Sequence, residues 1–361
     1  MINSNVRRIA AFVLAFACFS LALTSFAQAE DPPKVKVFIM AGQSNMEGKA
    51  QVSLLDHQIT APETAELFAH LHVDGEYIVR DDVWVEFLGH RGGLTPGFGS
   101  PDRIGPELQF GTVVGDHFDA PVLLIKTAWG GHSLYKNFRP PSAGLPSDAV
   151  LQETLDQANE RIRSNNEKNP DRNEALLTMD DITEPFGLSY RNMMQEVETT
   201  LADMDERFPE YEGQGYEIAG FVWFQGFNDQ FGDYASLEYE ENMEHFIRDV
   251  RRDLELPELP FVIAALGTNG SKEAQGGGLA VREAQLAMND VPDFEGNVYA
   301  FRTDVMADTV AEGLIDGWQN HVEEWQKVGS DRPYHYLGST IWYGRIGTEC
   351  GEGMLELMGE K

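Results

Sequence analysis

The stretch Val35-Lys36-Val37-Phe38-Ile39-Met40-Ala41-Gly42-Gln43-Ser44-Asn45-Met46 decides the fold. Val35 to Ala41 is a short run rich in β-branched and apolar residues, which predicts a strand buried on both faces. Gly42 permits a sharp backbone turn directly after it. Ser44 therefore falls at the carboxyl end of a strand, where open α/β sheets bind their ligands. Its own amide would be free there to donate to a developing oxyanion, although a serine in this place also serves as a plain helix cap. Met46 stands where the second glycine of the G-x-S-x-G elbow would be, so the elbow of the α/β-hydrolases is not the model.

Further apolar runs follow: Pro121 to Lys126, Ile218 to Phe224, Phe261 to Leu266 and Val298 to Phe301. Amphipathic patterns lie between them. Tyr190, Met193, Met194, Val197, Leu201 and Met204 recur at helical spacing, as do Met243, Phe246, Ile247, Val250 and Leu254. Gly105-Pro106-Glu107 reads as a helix start. The chain end from about Gly338 reads as a last helix, weakened by Gly344, Gly347, Gly351 and Gly353. This alternation predicts an α/β doubly wound domain. The polar stretch 139–185, with Pro140-Pro141 and Asn169-Pro170, breaks the rhythm and is expected to be an insertion carrying one helix, Ala149 to Arg163.

Arg7-Arg8, the uncharged apolar run Ile9 to Phe26 and Ala27-Gln28-Ala29 predict a signal peptide over 1–29, cleaved before Glu30. The expected product is a periplasmic or secreted single domain over 30–361, with no membrane attachment. It would keep Cys350 alone, hence no internal disulfide. Its stability would rest on a large core, which 42% hydrophobic residues can build. The formal charge of -32 argues against nucleic acid, whose phosphates would be repelled. No Cys/His cluster of zinc type is present in the sequence, and no metal or organic cofactor is expected.

Three more segments carry chemistry. Gly226-Phe227-Asn228-Asp229 follows the Ile218 strand, and the Asn228 side chain, or Gln225 one residue beyond the strand, could donate to an oxyanion. Trp129-Gly130-Gly131-His132 follows the Pro121 strand; paired glycines let backbone N–H groups approach a ligand. Asp331-Arg332-Pro333-Tyr334-His335 precedes the last helix, where His335 could take the Ser44 proton and return it to a leaving alkoxide. An acid nearby would orient the imidazole.

Taken in order, these segments resemble the SGNH-hydrolase superfamily. Gly42-Gln43-Ser44-Asn45-Met46, Trp223-Phe224-Gln225-Gly226 and His335-Tyr336-Leu337-Gly338-Ser339 resemble its sialate O-acetylesterase-like group, which includes the family 6 carbohydrate esterases and their acetylxylan esterases. The resemblance implies a three-layer αβα sandwich, flavodoxin-like, with about five parallel strands. It implies Ser44 as nucleophile, His335 as base, and an oxyanion hole from the Ser44 amide, Gly130 or Gly131, and Asn228 or Gln225, with Asn228 ranked first. Gln43, Trp129 and Phe227 are the expected substrate contacts, and acetylated carbohydrate the expected substrate. One departure stands out. The superfamily places its Asp three residues before the His, and here that position is Arg332, with Asp331 one further back. Asp331, Asp304, Asp308 or a Ser-His dyad are the options this leaves. The rival readings are an esterase or lipase for short acyl esters not linked to sugar, and a non-catalytic carbohydrate-binding protein of the same fold.

Overall fold

Strand β1 (Val35–Gly42) lies at the centre of a sheet that the computed structural model describes as seven-stranded among residues 32–169, 171–331 and 334–360. The expected signal peptide, 1–29, lies outside these described residues. The other strands are β2 (Val83–Phe87), β3 (His90–Gly93), β4 (Val122–Ala128), β5 (Tyr216–Phe224), β6 (Phe261–Ala265) and β7 (Val298–Arg302). Their spatial order is β7-β6-β5-β1-β4-β2-β3. All neighbours pair in parallel except β2 with the edge strand β3. From β1 the chain runs out to β2 and the edge strand β3, returns inward to β4 beside β1, and then crosses to β5, β6 and β7 on the other side. That reversal makes the crevice at the end of β1 the switch point of the sheet, where ligands of such folds bind.

Alternation along the strands sorts side chains into two cores. Phe38 and Met40 of β1 face one way, with Val222 and Phe224 of β5. Against them pack α1 (Glu107–His117), through Leu108, Phe110 and Val114, and the last helix (Thr340–Leu357), through Trp342, Ile346 and Met354. Val37, Ile39, Phe221 and Trp223 face the other way. They meet α2 (Leu188–Ala202), α3 (Tyr239–Asp253) and α4 (Gly276–Leu286), through residues such as Met193, Phe246 and Val281. The result is a three-layer αβα sandwich.

The glycines of α5 (Thr340–Leu357) do not break it. They let it approach α1 closely. A Cβ at Gly347 would lie 2.4 Å from the Pro106 carbonyl oxygen, and one at Gly351 would lie 2.7 Å from Val113 Cβ. The low helix propensity of glycine is overridden by packing.

All five apolar runs form strands. Strand β2 was not among them, because Glu86 interrupts its apolar pattern. That side chain is fully buried, pairs with Arg207 at 3.2 Å and accepts the Gly89 N–H at 2.7 Å. Met204 starts a short separate helix, Met204–Arg207, because α2 ends at the non-helical Asp203. Within 139–185, the helix Asp148–Lys168 runs five residues beyond the expected end. Ser147 caps it through the Val150 N–H. Leu151, Ile182 and Phe186 make a small core of their own there.

Candidate active site

The pairing register brings three strand ends to one level. Gly42 of β1 stands beside Ala128 of β4 and Phe224 of β5. A Cβ at Gly42 would lie 2.2 Å from the Phe224 carbonyl oxygen, so only glycine lets the chain leave the sheet here. Ser44 then opens a four-residue helix, Ser44–Glu47, pinned by the buried Met46. At the first helical position its N–H has no partner within the helix. Ser44 is 7% exposed, enough to present its hydroxyl.

His335 Nε2 lies 3.0 Å from Ser44 Oγ, across 291 residues of sequence. Its Nδ1 lies 2.8 Å from Asp331 Oδ2. A carboxylate only accepts, so Nδ1–H donates to Asp331 and Nε2 is left to accept the Ser44 hydroxyl proton. The loop is held from several sides. Ser330 and Asp331 N–H both donate to the Leu337 carbonyl, and Gly338 N–H to that of His335. Tyr336 and Leu337 adopt left-handed backbone, φ 51° and 59°, a conformation that non-glycine residues keep only where surrounding contacts enforce it. The Tyr336 hydroxyl, fully buried, accepts the Gly267 N–H at 3.0 Å and meets Thr303 Oγ1 at 2.9 Å.

The four-residue spacing from Asp331 to His335 therefore reaches. Arg332 lies outside the described residues. Both alternative acids are engaged elsewhere. Asp304 pairs with Arg282 and Arg302, and Asp308 caps the helix Thr309–Ile315 and accepts the Ser339 hydroxyl.

The amide candidates divide. Gln225 is 1% exposed, and its Nε2 is committed to Gln43 Oε1, the His132 carbonyl and Asp229 Oδ2. Its Oε1 accepts the Tyr239 hydroxyl. Gln225 is thus a strut in a buried polar network. Gln43, expected to touch substrate, belongs to the same network and is also 1% exposed. Its Oε1 accepts the Gly226 and Asn228 N–H groups, and its Nε2 donates to Asn228 Oδ1 at 3.1 Å. It fixes the turn after β5 and is buried away from the cleft. Asn228 keeps a free donor: one Nδ2 hydrogen goes to the Gly131 carbonyl at 2.7 Å, leaving the second.

Asp229, fully buried, accepts the Leu134 and Tyr135 N–H groups and so ties the β5 turn to the β4 loop. Burial pushes its carboxyl up to about 6, against the hydrogen bonds that lower it. On the β4 loop, Gly130 N–H donates to Glu47 Oε1 at 2.6 Å. A side chain at Gly130 would come within 3.7 Å of Ser44 Cβ, which places this loop beside the serine. Gly131 has φ +79° and open space around it.

Sequence reasoning missed Glu47 and Lys126. Glu47, one helical turn after Ser44, also pairs with Lys49. Lys126 is fully buried and donates to the Glu47 and Phe98 carbonyls and to Glu107 Oε2 at 2.8 Å. Burial pulls its ammonium below the ordinary lysine range, opposed by Glu107. The one available signal was a lysine ending an otherwise apolar strand. Trp129 is half-buried, stacked on His132, and lines a cavity of about 720 Å³ together with Glu47, Phe87 and His90. Phe227 is half-buried and meets Phe231 and Tyr334 edge to face. Among the described residues, no group of three or more His, Cys, Asp and Glu side chains is disposed to hold a metal ion. No described helix is long and apolar enough to cross a membrane.

A family model described as "SASA: Carbohydrate esterase, sialic acid-specific acetylesterase" matches residues 34–309, which include Ser44 and Asn228. A probable carbohydrate esterase of Arabidopsis thaliana is 37% identical over 87 residues, 24% of this chain and 31% of that protein. The chain thus matches about a third of that relative's length. A solved structure of an Arabidopsis thaliana protein shares the fold at TM-score 0.51 and 17% identity, over 90% of this chain and 98% of the other. A carbohydrate acetylesterase from Xanthomonas citri superposes at TM-score 0.48 and 13% identity, over 90% and 57% of the two chains. With its model matched across most of the sequence, the chain belongs to the carbohydrate esterase, sialic acid-specific acetylesterase family.

Proposed function

We propose that this family member is a serine esterase that removes O-acetyl groups from carbohydrate through an acetyl-Ser44 intermediate. The carrying observation is the hydrogen-bond chain from Ser44 Oγ through His335 to Asp331 at the carboxyl end of β1. Ser44 Oγ bonds to the acetyl carbon while His335 Nε2 takes its proton. The oxyanion meets the Ser44 N–H and the second Nδ2 hydrogen of Asn228, with the Gly131 N–H as a third donor, since that of Gly130 goes to Glu47. The bond from the acetyl carbon to the sugar oxygen then breaks, and His335 returns the proton to that oxygen. Water, deprotonated by His335, attacks the acetyl-serine; the bond from the acetyl carbon to Ser44 Oγ breaks, His335 returns the proton to Oγ, and acetate leaves. Asp331 holds the imidazole in the accepting tautomer and stabilises the imidazolium.

The cavity beside Trp129 has the volume typical of small-molecule sites, which suits a sugar ester. The reading includes export through the 1–29 segment and a single catalytic domain over 30–361 carrying the 139–185 insertion. N-terminal sequencing of the exported protein is expected to begin at Glu30.

The test is acetate release from acetylated xylan, O-acetyl sialic acid and p-nitrophenyl acetate by the wild type and by Ser44→Ala. The expected result is release from the sugars by the wild type alone. Release from p-nitrophenyl acetate with none from either sugar would overturn the carbohydrate reading.

A further inference from the structure

Three aromatic rings sit beside the site, one of them, Phe227, in contact with both of the others, and those two face water. Phe231 is 71% exposed and Tyr334 55% exposed. Phe227 joins them, with ring centroids 5.2 Å from Phe231 and 5.9 Å from Tyr334. Single exposed apolar side chains are ordinary on a protein surface; a contiguous exposed group beside a reactive centre is not.

Two separate ties fix this group to the site. Tyr334 immediately precedes His335, and the two rings stand 6.5 Å apart. Phe227 lies between Gly226 and Asn228, whose N–H groups both donate to Gln43, the residue before Ser44. The turn that carries Phe227 and Phe231 is also braced. Gln230 Nε2 donates to the Phe227 carbonyl at 2.9 Å. The Gln230 backbone presses on α4 so closely that a Cβ at Gly277 would lie 2.1 Å from its carbonyl oxygen. Rigid rings lose little conformational freedom when a ligand stacks on them.

In acyl transfer the base that takes the nucleophile's proton returns it to the leaving oxygen. The leaving sugar must therefore sit on the His335 side of Ser44, which is the side Tyr334 borders. A pyranose ring offers a face of C–H groups that matches an aromatic surface. We propose that Phe231 and Tyr334, backed by Phe227, form a platform that stacks the pyranose ring of the leaving carbohydrate. This rests on the esterase reading above and adds the residues that select a sugar alcohol.

The test compares Phe231→Ala, Tyr334→Ala and the double variant with the wild type on acetylated xylo-oligosaccharide and on ethyl acetate. Binding of deacetylated xylo-oligosaccharide is measured alongside by calorimetry. Each single variant is expected to raise KM for the sugar ester, and to weaken product binding, by about fivefold to tenfold. Turnover of ethyl acetate, whose leaving group has no ring to stack, should stay within about twofold of wild type. Tyr334→Phe, which keeps the ring, should behave as wild type on both. Unchanged sugar kinetics and binding in the double variant would overturn the platform, as would equal losses on both esters. A change of mass in solution with unaltered sugar kinetics would assign the patch to self-association and overturn it too. If the wild type binds the deacetylated sugar through these rings but hydrolyses neither ester, the esterase reading fails while the platform stands.

Discussion

Asp331 Oδ2 stands 2.8 Å from His335 Nδ1, although the two residues are four apart and Arg332 occupies the position three before the histidine. The left-handed turn at Tyr336 and Leu337 folds the loop back so that the Asp331 N–H reaches the Leu337 carbonyl. That fold-back fixes where the carboxylate points. Asp331→Asn is therefore expected to lower kcat by roughly 10²–10⁴-fold, through loss of the accepting tautomer. Asp304→Asn should leave kcat unchanged and lower Tm instead, since Asp304 serves Arg282 and Arg302. Steady-state kinetics and thermal melts separate the two.

Asn228 and Gln225 are expected to fail differently. Asn228→Ala removes the donor with a hydrogen to offer, and kcat should fall by about 10²–10³-fold, with about 1–3 kcal/mol of unfolding free energy lost because the buried Gln43 Nε2 loses its acceptor. Gln225→Ala strips partners from Gln43, Asp229 and Tyr239 in a buried network. Its main effect is expected in urea unfolding, at about 1–3 kcal/mol for each buried group left unpaired. A Gln225→Ala protein of native stability with kcat reduced like that of Asn228→Ala would exchange their roles.

Lys126 and Glu107 form an ion pair in which both side chains are essentially unexposed. Lys126→Met leaves Glu107 charged and buried, and should destabilise the fold by about 3–5 kcal/mol. Adding Glu107→Gln should recover a large part of that loss, because the amide oxygen can still accept the Gly105 N–H while no charge remains. Chemical denaturation of both variants checks the pair.

The Asp229 carboxyl takes up its proton at about 6 in the folded chain, against 3.8 for its ordinary value. A raised carboxyl pKa means that its charge opposes folding above that range. Its contribution to stability therefore rises as pH falls from 6 towards 4. Wild-type stability should gain more, or lose less, than that of Asp229→Asn when pH is lowered from 7 to 5. Equal changes in the two proteins, measured by urea unfolding at both pH values, would contradict the raised pKa.

Much of this arrangement was legible in the sequence, for physical reasons. Buried parallel strands need continuous apolar runs, so the five runs marked five strands, and the residues after the Val35, Pro121 and Ile218 runs marked the candidate site. Strand β2 hid behind Glu86, whose burial depends on Arg207, a partner that no local pattern reveals. Ser44 and His335 were visible because each follows or precedes a strong element. The reach of Asp331 depends on two left-handed residues after the histidine, and nothing in Tyr336 or Leu337 announces that conformation. Gln43 and Gln225 look like ligand-binding amides in sequence. Their burial follows from the convergence of the β1 and β5 ends, which is a tertiary fact.

The central claim is that Ser44 forms a covalent acyl adduct with the help of His335. Intact-protein and peptide mass spectrometry after treatment with a fluorophosphonate tests it most directly. The account predicts one adduct per chain on the peptide holding Ser44, absent in Ser44→Ala and strongly slowed in His335→Ala. An unlabelled Ser44 in wild-type protein that is turning over p-nitrophenyl acetate would contradict it.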